Sequence, residues 1–264
     1  MSAKISTIGF IGGGRITRII LQAFTNKSID FELIKVFDRD KQKMKEAKSL
    51  NPKVENGISA VDIVQSCQMI FLALHPQDIP ACLEEIKTSI KADHILISLA
   101  PKITMANIQS KLPVKCHVVR MITNAPSIIN KGYNAIAFSE DIIQNTELRS
   151  LLCDFFNHLG ECVQTEENNL EAYAVITGMG PTYLWFQFNE LIKIAKELGL
   201  SDEEARNAVS HMVKGSVDTL LHSELNYEDV LDLIPFHPFG QHHETIKKIY
   251  REVLTKLHEK IKPV

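Results

Sequence analysis

The sequence predicts two domains of different class, an open α/β domain over residues 1–166 and an all-α domain over residues 167–264. Three observations carry this division. Short β-branched runs alternate with helical stretches through the first half, and strands spaced by helices form parallel βαβ units whose sheet is covered on both faces. Beyond Glu166 the apolar residues recur at helical spacing instead. Finally, three consecutive glycines follow the first strand directly.

In chain order, the runs Ile5 to Ile11, Leu33 to Phe37, Met69 to Leu74, His94 to Leu99 and Val118 to Ile122 predict five strands. Asn134 to Phe138 and Cys162 to Thr165 extend the sheet. The second domain reads as helices over Tyr183 to Leu198, Asp202 to Leu221 and Thr245 to Ile261. In the middle helix Ala205, Ala208, Val209, Met212, Val213, Val217, Leu220 and Leu221 are expected to form one buried face. Gly199 ends the helix before it as a left-handed cap, and Ser201 with Glu204 opens it as a capping box. Trp185, Phe186 and Phe188 are expected to pack within the domain. The stretch Tyr183 to Leu198 is apolar over more than one face, which predicts a homodimer through the C-terminal helices.

A chain of 264 residues, 45% hydrophobic and 23% charged, can bury a sizeable core. Its net charge of -3, without a basic block, gives no reason to expect a nucleic acid or an anionic membrane as partner, which leaves small molecules. The five cysteines Cys67, Cys82, Cys116, Cys153 and Cys162 are scattered without a Cys-x-x-Cys pair, matching neither a disulfide framework nor a zinc site. No apolar run approaches the length of about 18 residues that a membrane span needs. The expectation is a cytoplasmic protein without signal peptide or anchor.

Gly12-Gly13-Gly14-Arg15-Ile16-Thr17 is the dinucleotide fingerprint of a Rossmann-type domain, with Thr17 where a third glycine or alanine usually stands. Gly12 makes the tight turn. Gly14 lets the backbone approach a pyrophosphate, and Arg15 and Ile16 open the helix whose N-terminus would hold it. Thr17 is a reservation, because its branched side chain could loosen the contact between helix and strand. Asp38 ends the second strand, where a carboxylate accepts from a ribose 2′-hydroxyl and repels a 2′-phosphate, favouring NADH. Arg39 beside it could clamp that phosphate and favour NADPH, so the choice stays open.

Further motifs, in order over roughly residues 5 to 222, resemble the pyrroline-5-carboxylate reductase family. Phe71-Leu72-Ala73-Leu74-His75-Pro76-Gln77 is similar to its Phe-Leu-Ala-Val-Lys-Pro-Gln, and Ile97-Ser98-Leu99-Ala100 to its Ile-Ser-Ile-Ala. Val119-Arg120-Met121-Ile122-Thr123-Asn124-Ala125-Pro126 resembles Val-Arg-Val-Met-Pro-Asn-Thr-Pro, and Thr177-Gly178-Met179-Gly180-Pro181-Thr182-Tyr183 resembles Ser-Gly-Ser-Gly-Pro-Ala-Tyr. The resemblance implies an N-terminal dinucleotide domain, a helical C-terminal dimerisation domain, and hydride transfer from NADH or NADPH to the C=N bond of a cyclic imino acid, most simply pyrroline-5-carboxylate to proline. On this reading Leu74, Pro76 and Ala100 border the cofactor. His75 and Asn124 are the candidate catalytic residues, His75 lending a proton or holding a ribose hydroxyl, Asn124 orienting nicotinamide or substrate. A solvated loop histidine is the bland alternative for His75.

The departures bear on the substrate. His75 replaces a lysine, Pro101-Lys102 an Ala-Gly pair, Thr123 a proline, Ala125 a threonine and Met179 a serine. The family's Ser-Pro-Gly-Gly-Thr-Thr loop, which holds the substrate carboxylate, corresponds to Phe236-His237-Pro238-Phe239-Gly240-Gln241-His242, where both threonine hydroxyls are gone. Met179, Gly180, Thr182, His237, Gln241 and His242 are the candidate substrate contacts, in a cleft expected between the nucleotide domain and the helices of the dimer. The glycine turn reads equally as a shaped helix start. His237, His242 and His243 fit no standard zinc spacing, and no metal is expected. A reductase of another imine or carbonyl, or a nucleotide-binding protein without catalysis, are the rival readings.

Overall fold

The structure, a computed structural model, describes residues 5–263, so the outermost residues of the predicted domains, 1–4 and 264, lie outside it. The chain divides into two compact units, one running to Met179 and including the chain from Leu257 onward, the other Gly180–Lys256.

In the first unit, β1 (Thr7–Ile11), α1 (Arg15–Asn26), β2 (Leu33–Phe37), α2 (Lys41–Leu50), β3 (Val54–Asn56), α3 (Ala60–Ser66) and β4 (Met69–Leu72) are followed by α4 (Ile79–Ile86), β5 (Ile95–Ser98), α5 (Met105–Gln109) and β6 (His117–Ile122). Then come β7 (Gly132–Phe138), α6 (Glu140–Gln144), α7 (Thr146–Phe156), β8 (Gly160–Gln164) and α8 (Leu170–Tyr173). The eight strands form one sheet in the order β3-β2-β1-β4-β5-β6-β7-β8. Strand order reverses between β1 and β4, which is where an open α/β sheet leaves a crevice beyond its carboxyl ends. Among the described residues only β6 and β7 pair antiparallel. The link between them, residues 123–131, is too short for a crossover helix, so the chain must return; α6 and α7 then supply the crossover that makes β8 parallel to β7.

Alternate residues of the strands feed two cores. Phe10, Phe71, Ile97 and Val119 lie on one face with Phe24, Phe155 and Phe156 from the helices. Ile70, Leu72, Leu96 and Val118 lie on the other with Ile63, Val64 and Leu83. Phe10 stacks on Phe71 across neighbouring strands, with ring centroids 4.5 Å apart.

The predicted strands appear with ends shifted by a residue or two: the first begins at Thr7 and the third stops at Leu72. β3 was missed for a plain reason, since only Val54 of its three residues is buried and Glu55 and Asn56 face solvent, leaving no pattern to read.

The second unit contains α9 (Pro181–Glu197), α10 (Asp202–His222), α11 (Tyr227–Asp232) and most of α12 (His243–Ile261). The caps form as expected: Gly199 has φ of 104°, Ser201 Oγ accepts from Glu204 N–H at 3.3 Å, and Glu204 Oε2 accepts from Ser201 N–H at 2.9 Å. The expected buried face of α10 is corrected. Only Ala205 and Val209 of that helix are buried, while Met212, Val217, Leu220 and Leu221 are exposed. Trp185 and Phe186, expected to pack, are 52% and 67% exposed in the single chain. The 3-4 rhythm identified apolar faces correctly but not what covers them. Among the described residues no helix is long and apolar enough to cross a membrane.

Candidate active site

The glycine turn is shaped by what lies against it. Gly12 has φ of 107°, and a Cβ there would stand 2.3 Å from the carbonyl oxygen of Ala73, so neither backbone conformation nor space admits a side chain. Gly12 N–H donates to the Phe37 carbonyl at 2.7 Å. Thr17 does not loosen the turn: wholly buried, its hydroxyl donates to the Gly12 carbonyl at 2.5 Å and locks helix to strand. Asp38 Oδ2 accepts from Gly13 N–H and Oδ1 from Asp40 N–H, both at 2.8 Å, with Lys43 Nζ 3.6 Å away. The carboxylate just after β2 therefore holds the turn. It retains acceptor capacity, because a carboxylate has about four lone-pair sites.

Gly14 differs from Gly12. A Cβ built on it meets nothing within 4 Å, and no side chain caps the N-terminus of α1. Open space beside uncapped amide groups at the positive end of a twelve-residue helix fits the pyrophosphate of a dinucleotide.

Beside the turn lies a cavity of about 170 Å³ lined by Ile16, Leu99, Pro101, Ile122, Thr123, Ala174, Gly178 and Met179. Ile16 comes from the first turn of α1, Leu99 and Pro101 from beyond β5, and Ile122 and Thr123 from the end of β6. The opposite wall is a π-helical turn, Ala174–Gly178, closed by Met179 N–H donating to the Ala174 carbonyl at 3.0 Å.

A buried ion-pair network sets these walls. Arg120, 1% exposed in the middle of β6, places Nη2 at 2.6 Å from Glu171 Oε1 and Nη1 at 3.0 Å from Glu167 Oε1. The same two carboxylate oxygens accept from Lys102 N–H at 3.0 Å and Met105 N–H at 2.7 Å. One guanidinium thus joins the strand, the loop after β5 and the segment leading into the π-turn. Lys102 adopts φ of 73° there, a left-handed conformation rare for a side-chain-bearing residue.

The fold gathers the predicted cofactor residues at one edge of the sheet. Gly12, Gly14, Arg15 and Ile16 form the turn and helix start, Asp38 and Arg39 follow β2, Leu74, His75 and Pro76 follow β4, and Ala100 follows β5. Arg15, Arg39 and His75 are exposed, whereas Ala100 is buried in the core on the Ile70 and Leu72 face of the sheet and offers backbone alone. Asn124, 6% exposed, accepts a hydrogen bond from Tyr133 N–H at 3.1 Å on its side-chain oxygen, which fixes the orientation of its amide. Met179 lines the cavity, and in the second unit Gly180 and Thr182 stand at the start of α9. His237, Gln241 and His242 lie in an exposed loop, where His237 Nε2 donates to the Leu231 carbonyl at 3.1 Å and Gln241 Nε2 lies 3.2 Å from His242 Nε2. Sequence reasoning missed the walls Leu99, Ile122 and Ala174, which read as ordinary core, and treated Pro101 and Thr123 only as departures.

Residues 7–102 match the family described as NADP oxidoreductase coenzyme F420-dependent, and residues 167–235 match pyrroline-5-carboxylate reductase dimerisation. Pyrroline-5-carboxylate reductase 3 of Xenopus laevis is 28% identical over 221 residues, 82% of this chain and 78% of that one. The Staphylococcus aureus (strain COL) pyrroline-5-carboxylate reductase is 22% identical over 218 residues, 82% and 80% of the two chains. In fold, the chain matches Plasmodium falciparum pyrroline carboxylate reductase with NADP bound at a TM-score of 0.78 and 21% identity, over 97% of this chain and 95% of the other. The Coxiella burnetii pyrroline-5-carboxylate reductase matches at 0.72 and 23%, over 99% and 100%. With a dinucleotide cradle at the switch point of its sheet, the chain is an NAD(P)-dependent oxidoreductase that uses NADH or NADPH. The dimerisation domain joined to it narrows the class, and the protein belongs to the pyrroline-5-carboxylate reductase family, the one its motifs resemble.

Proposed function

We propose that the protein reduces the C=N bond of a small cyclic imino acid, pyrroline-5-carboxylate to proline being the reaction in its relatives' names. The observation that carries this reading is the adjacency of the Gly14 cradle to a cavity walled by apolar side chains, with Ile16 belonging to both. When bound, the reduced nicotinamide supplies the hydride. The chain's own part is to hold, orient and exclude water. The amides at the start of α1 bind the pyrophosphate, Asp38 accepts from a ribose hydroxyl, and Leu99, Ile122 and Met179 keep the reacting faces dry. A protonated imine is already an electrophile, so no side chain of this chain has to act as a general acid.

Of the two cofactors NADH is the better fit, because the Asp38 carboxylate is held in place by Gly13 N–H and would repel a 2′-phosphate. Met179, Gly180, Thr182, His237, Gln241 and His242 are proposed substrate contacts, and His75 a contact for a ribose hydroxyl. A different cyclic imine is the second reading, favoured by imidazole and amide groups where the family's loop carries hydroxyls. The active form is proposed to be a homodimer: the second unit buries only Ala205 and Val209, while Phe186, Leu198, Leu221, Phe236 and Phe239 stand between 65% and 81% exposed. A reducing cytoplasm suits the five unpaired thiols.

The test is oxidation of NADH and NADPH by the purified protein with pyrroline-5-carboxylate. Turnover with NADH preferred is expected. Cofactor binding without oxidation on any small cyclic imine would overturn the reading.

A further inference from the structure

Lys102 follows Pro101, which lines the cavity, and its N–H donates to Glu171 Oε1 at 3.0 Å, three residues before Ala174 on the opposite wall. Its backbone therefore bridges two walls of the cavity, and the residue is partly exposed. Two carboxylates hold this loop, Glu171 through Lys102 N–H and Glu167 through Met105 N–H, and both pair with Arg120. The Lys102 ammonium pairs with neither and enters no ion pair among the described residues. The backbone does not account for the lysine, because glycine would adopt φ of 73° freely and a side chain makes it rare. Strained conformations of this kind cluster at ligand sites, where the surroundings hold them in place. The next Cα, that of Pro101, is about 3.8 Å away, and a lysine stem extends about 6 Å, so the mouth of the cavity lies within reach of the ammonium.

We propose that Lys102 is a specificity-determining residue whose ammonium binds the carboxylate of the cyclic imino acid at the mouth of the cavity, an inference that rests on the imine-reductase reading above. None of the residues lining the cavity is charged, so a carboxylate entering it would lose hydration with nothing to offset the loss. The guanidinium of Arg120 is buried and already shared between Glu167 and Glu171. Lys102 supplies the missing positive charge from a partly exposed position, where holding it in the absence of ligand costs little. The protonated imine is itself a cation, so an ammonium serves the carboxylate end of the molecule and not the C=N bond. The ring nitrogen and the imine carbon are thereby turned away from Lys102, towards the wall that contains Ile16 at the edge of the cofactor cradle. The phosphates of the cofactor have their own place at the start of α1, beside Gly14.

The test compares wild type with Lys102→Met, which keeps an unbranched stem and removes the charge, and Lys102→Arg, which keeps the charge. Each is assayed with pyrroline-5-carboxylate and with 1-pyrroline, the same ring without its carboxylate. Lys102→Met is expected to raise KM for pyrroline-5-carboxylate about tenfold or more and to weaken L-proline binding by a similar factor, with kcat within about threefold of wild type. Its kcat/KM for 1-pyrroline and its NADH affinity should match those of wild type, and Lys102→Arg should recover most of the loss. Added salt should raise the wild-type KM for pyrroline-5-carboxylate and leave that of Lys102→Met nearly unchanged. Equal losses on both substrates would overturn the proposal, since the loop's shape rather than its charge would then matter. Weakened NADH binding in Lys102→Met would also overturn it, by assigning the ammonium to a cofactor phosphate. Wild-type behaviour of Lys102→Met would overturn the role of Lys102 and leave the reductase reading standing. A wild type that neither turns over pyrroline-5-carboxylate nor binds L-proline would overturn both.

Discussion

The guanidinium of Arg120, buried in the middle of β6, sits 2.6 Å from the buried carboxylate of Glu171, and that carboxylate also holds the backbone of Lys102. Three segments that wall the cavity are thereby tied to one point. Removing one partner strands a buried charge, so Glu171→Ala is expected to lower unfolding free energy by about 3–5 kcal/mol in urea titration. Replacing both, Arg120→Leu with Glu171→Leu, should recover most of that stability. Catalytic efficiency in the double variant should still fall, because the cavity walls lose their common anchor.

Lys102 pays a conformational cost at φ of 73°. Lys102→Gly removes that strain of about 1–2 kcal/mol, offset in part by the greater freedom glycine gains in the unfolded chain. A net rise of about 0.5–1 kcal/mol in stability is expected by chemical denaturation. A fall would show that the lysine side chain contributes more than its backbone costs.

Gly14→Val should separate binding from folding. No atom lies within 4 Å of the new Cβ, so the melting temperature should stay close to that of the wild type. The same side chain occupies the pyrophosphate position, and affinity for NADH and NADPH should fall by about a hundredfold or more. Fluorescence titration reads both affinities directly.

Asp38→Ser tests cofactor choice. Loss of the carboxylate removes repulsion of a 2′-phosphate and an acceptor for the 2′-hydroxyl, so the NADH-to-NADPH preference should move by about tenfold or more towards NADPH. Because Asp38 also receives Gly13 N–H, overall affinity should drop as well. An unchanged ratio would remove Asp38 from the ribose site.

At the opposite end of the sheet, burial pushes the Asp141 carboxyl up, but hydrogen bonds to Ser139 and His117 outweigh it and hold the group below its ordinary 3.8. A depressed folded-state value means stability that is present above the unfolded value and lost as pH falls through the folded one. The stability gap between wild type and Asp141→Asn should therefore be full above about pH 5 and shrink progressively as pH falls below the ordinary 3.8, measured by urea unfolding at each pH.

The sequence by itself determined the class of both domains, since period-2 and period-3.6 patterns respond to burial on one face or two, whatever the neighbours are. It also located the dinucleotide cradle, because a glycine with the conformation of Gly12 and an uncapped helix start after a strand are local properties of adjacent residues. Tertiary structure decided the rest. Thr17 reads as a flaw until the Gly12 carbonyl is found 2.5 Å from its hydroxyl, and Thr123 reads as a loop substitution until its hydroxyl is found buried without a partner. Arg120 is only one position of a resembling motif in the sequence, and its burial is explained once Glu167 and Glu171, some fifty residues away, are found against it. Asn124 reads as an unattached amide until its oxygen is found accepting from Tyr133 N–H. Each of these depends on which group a side chain meets across the sheet, and hydrogen bonds and ion pairs act over about 3 Å, a distance that periodicity along the chain does not encode.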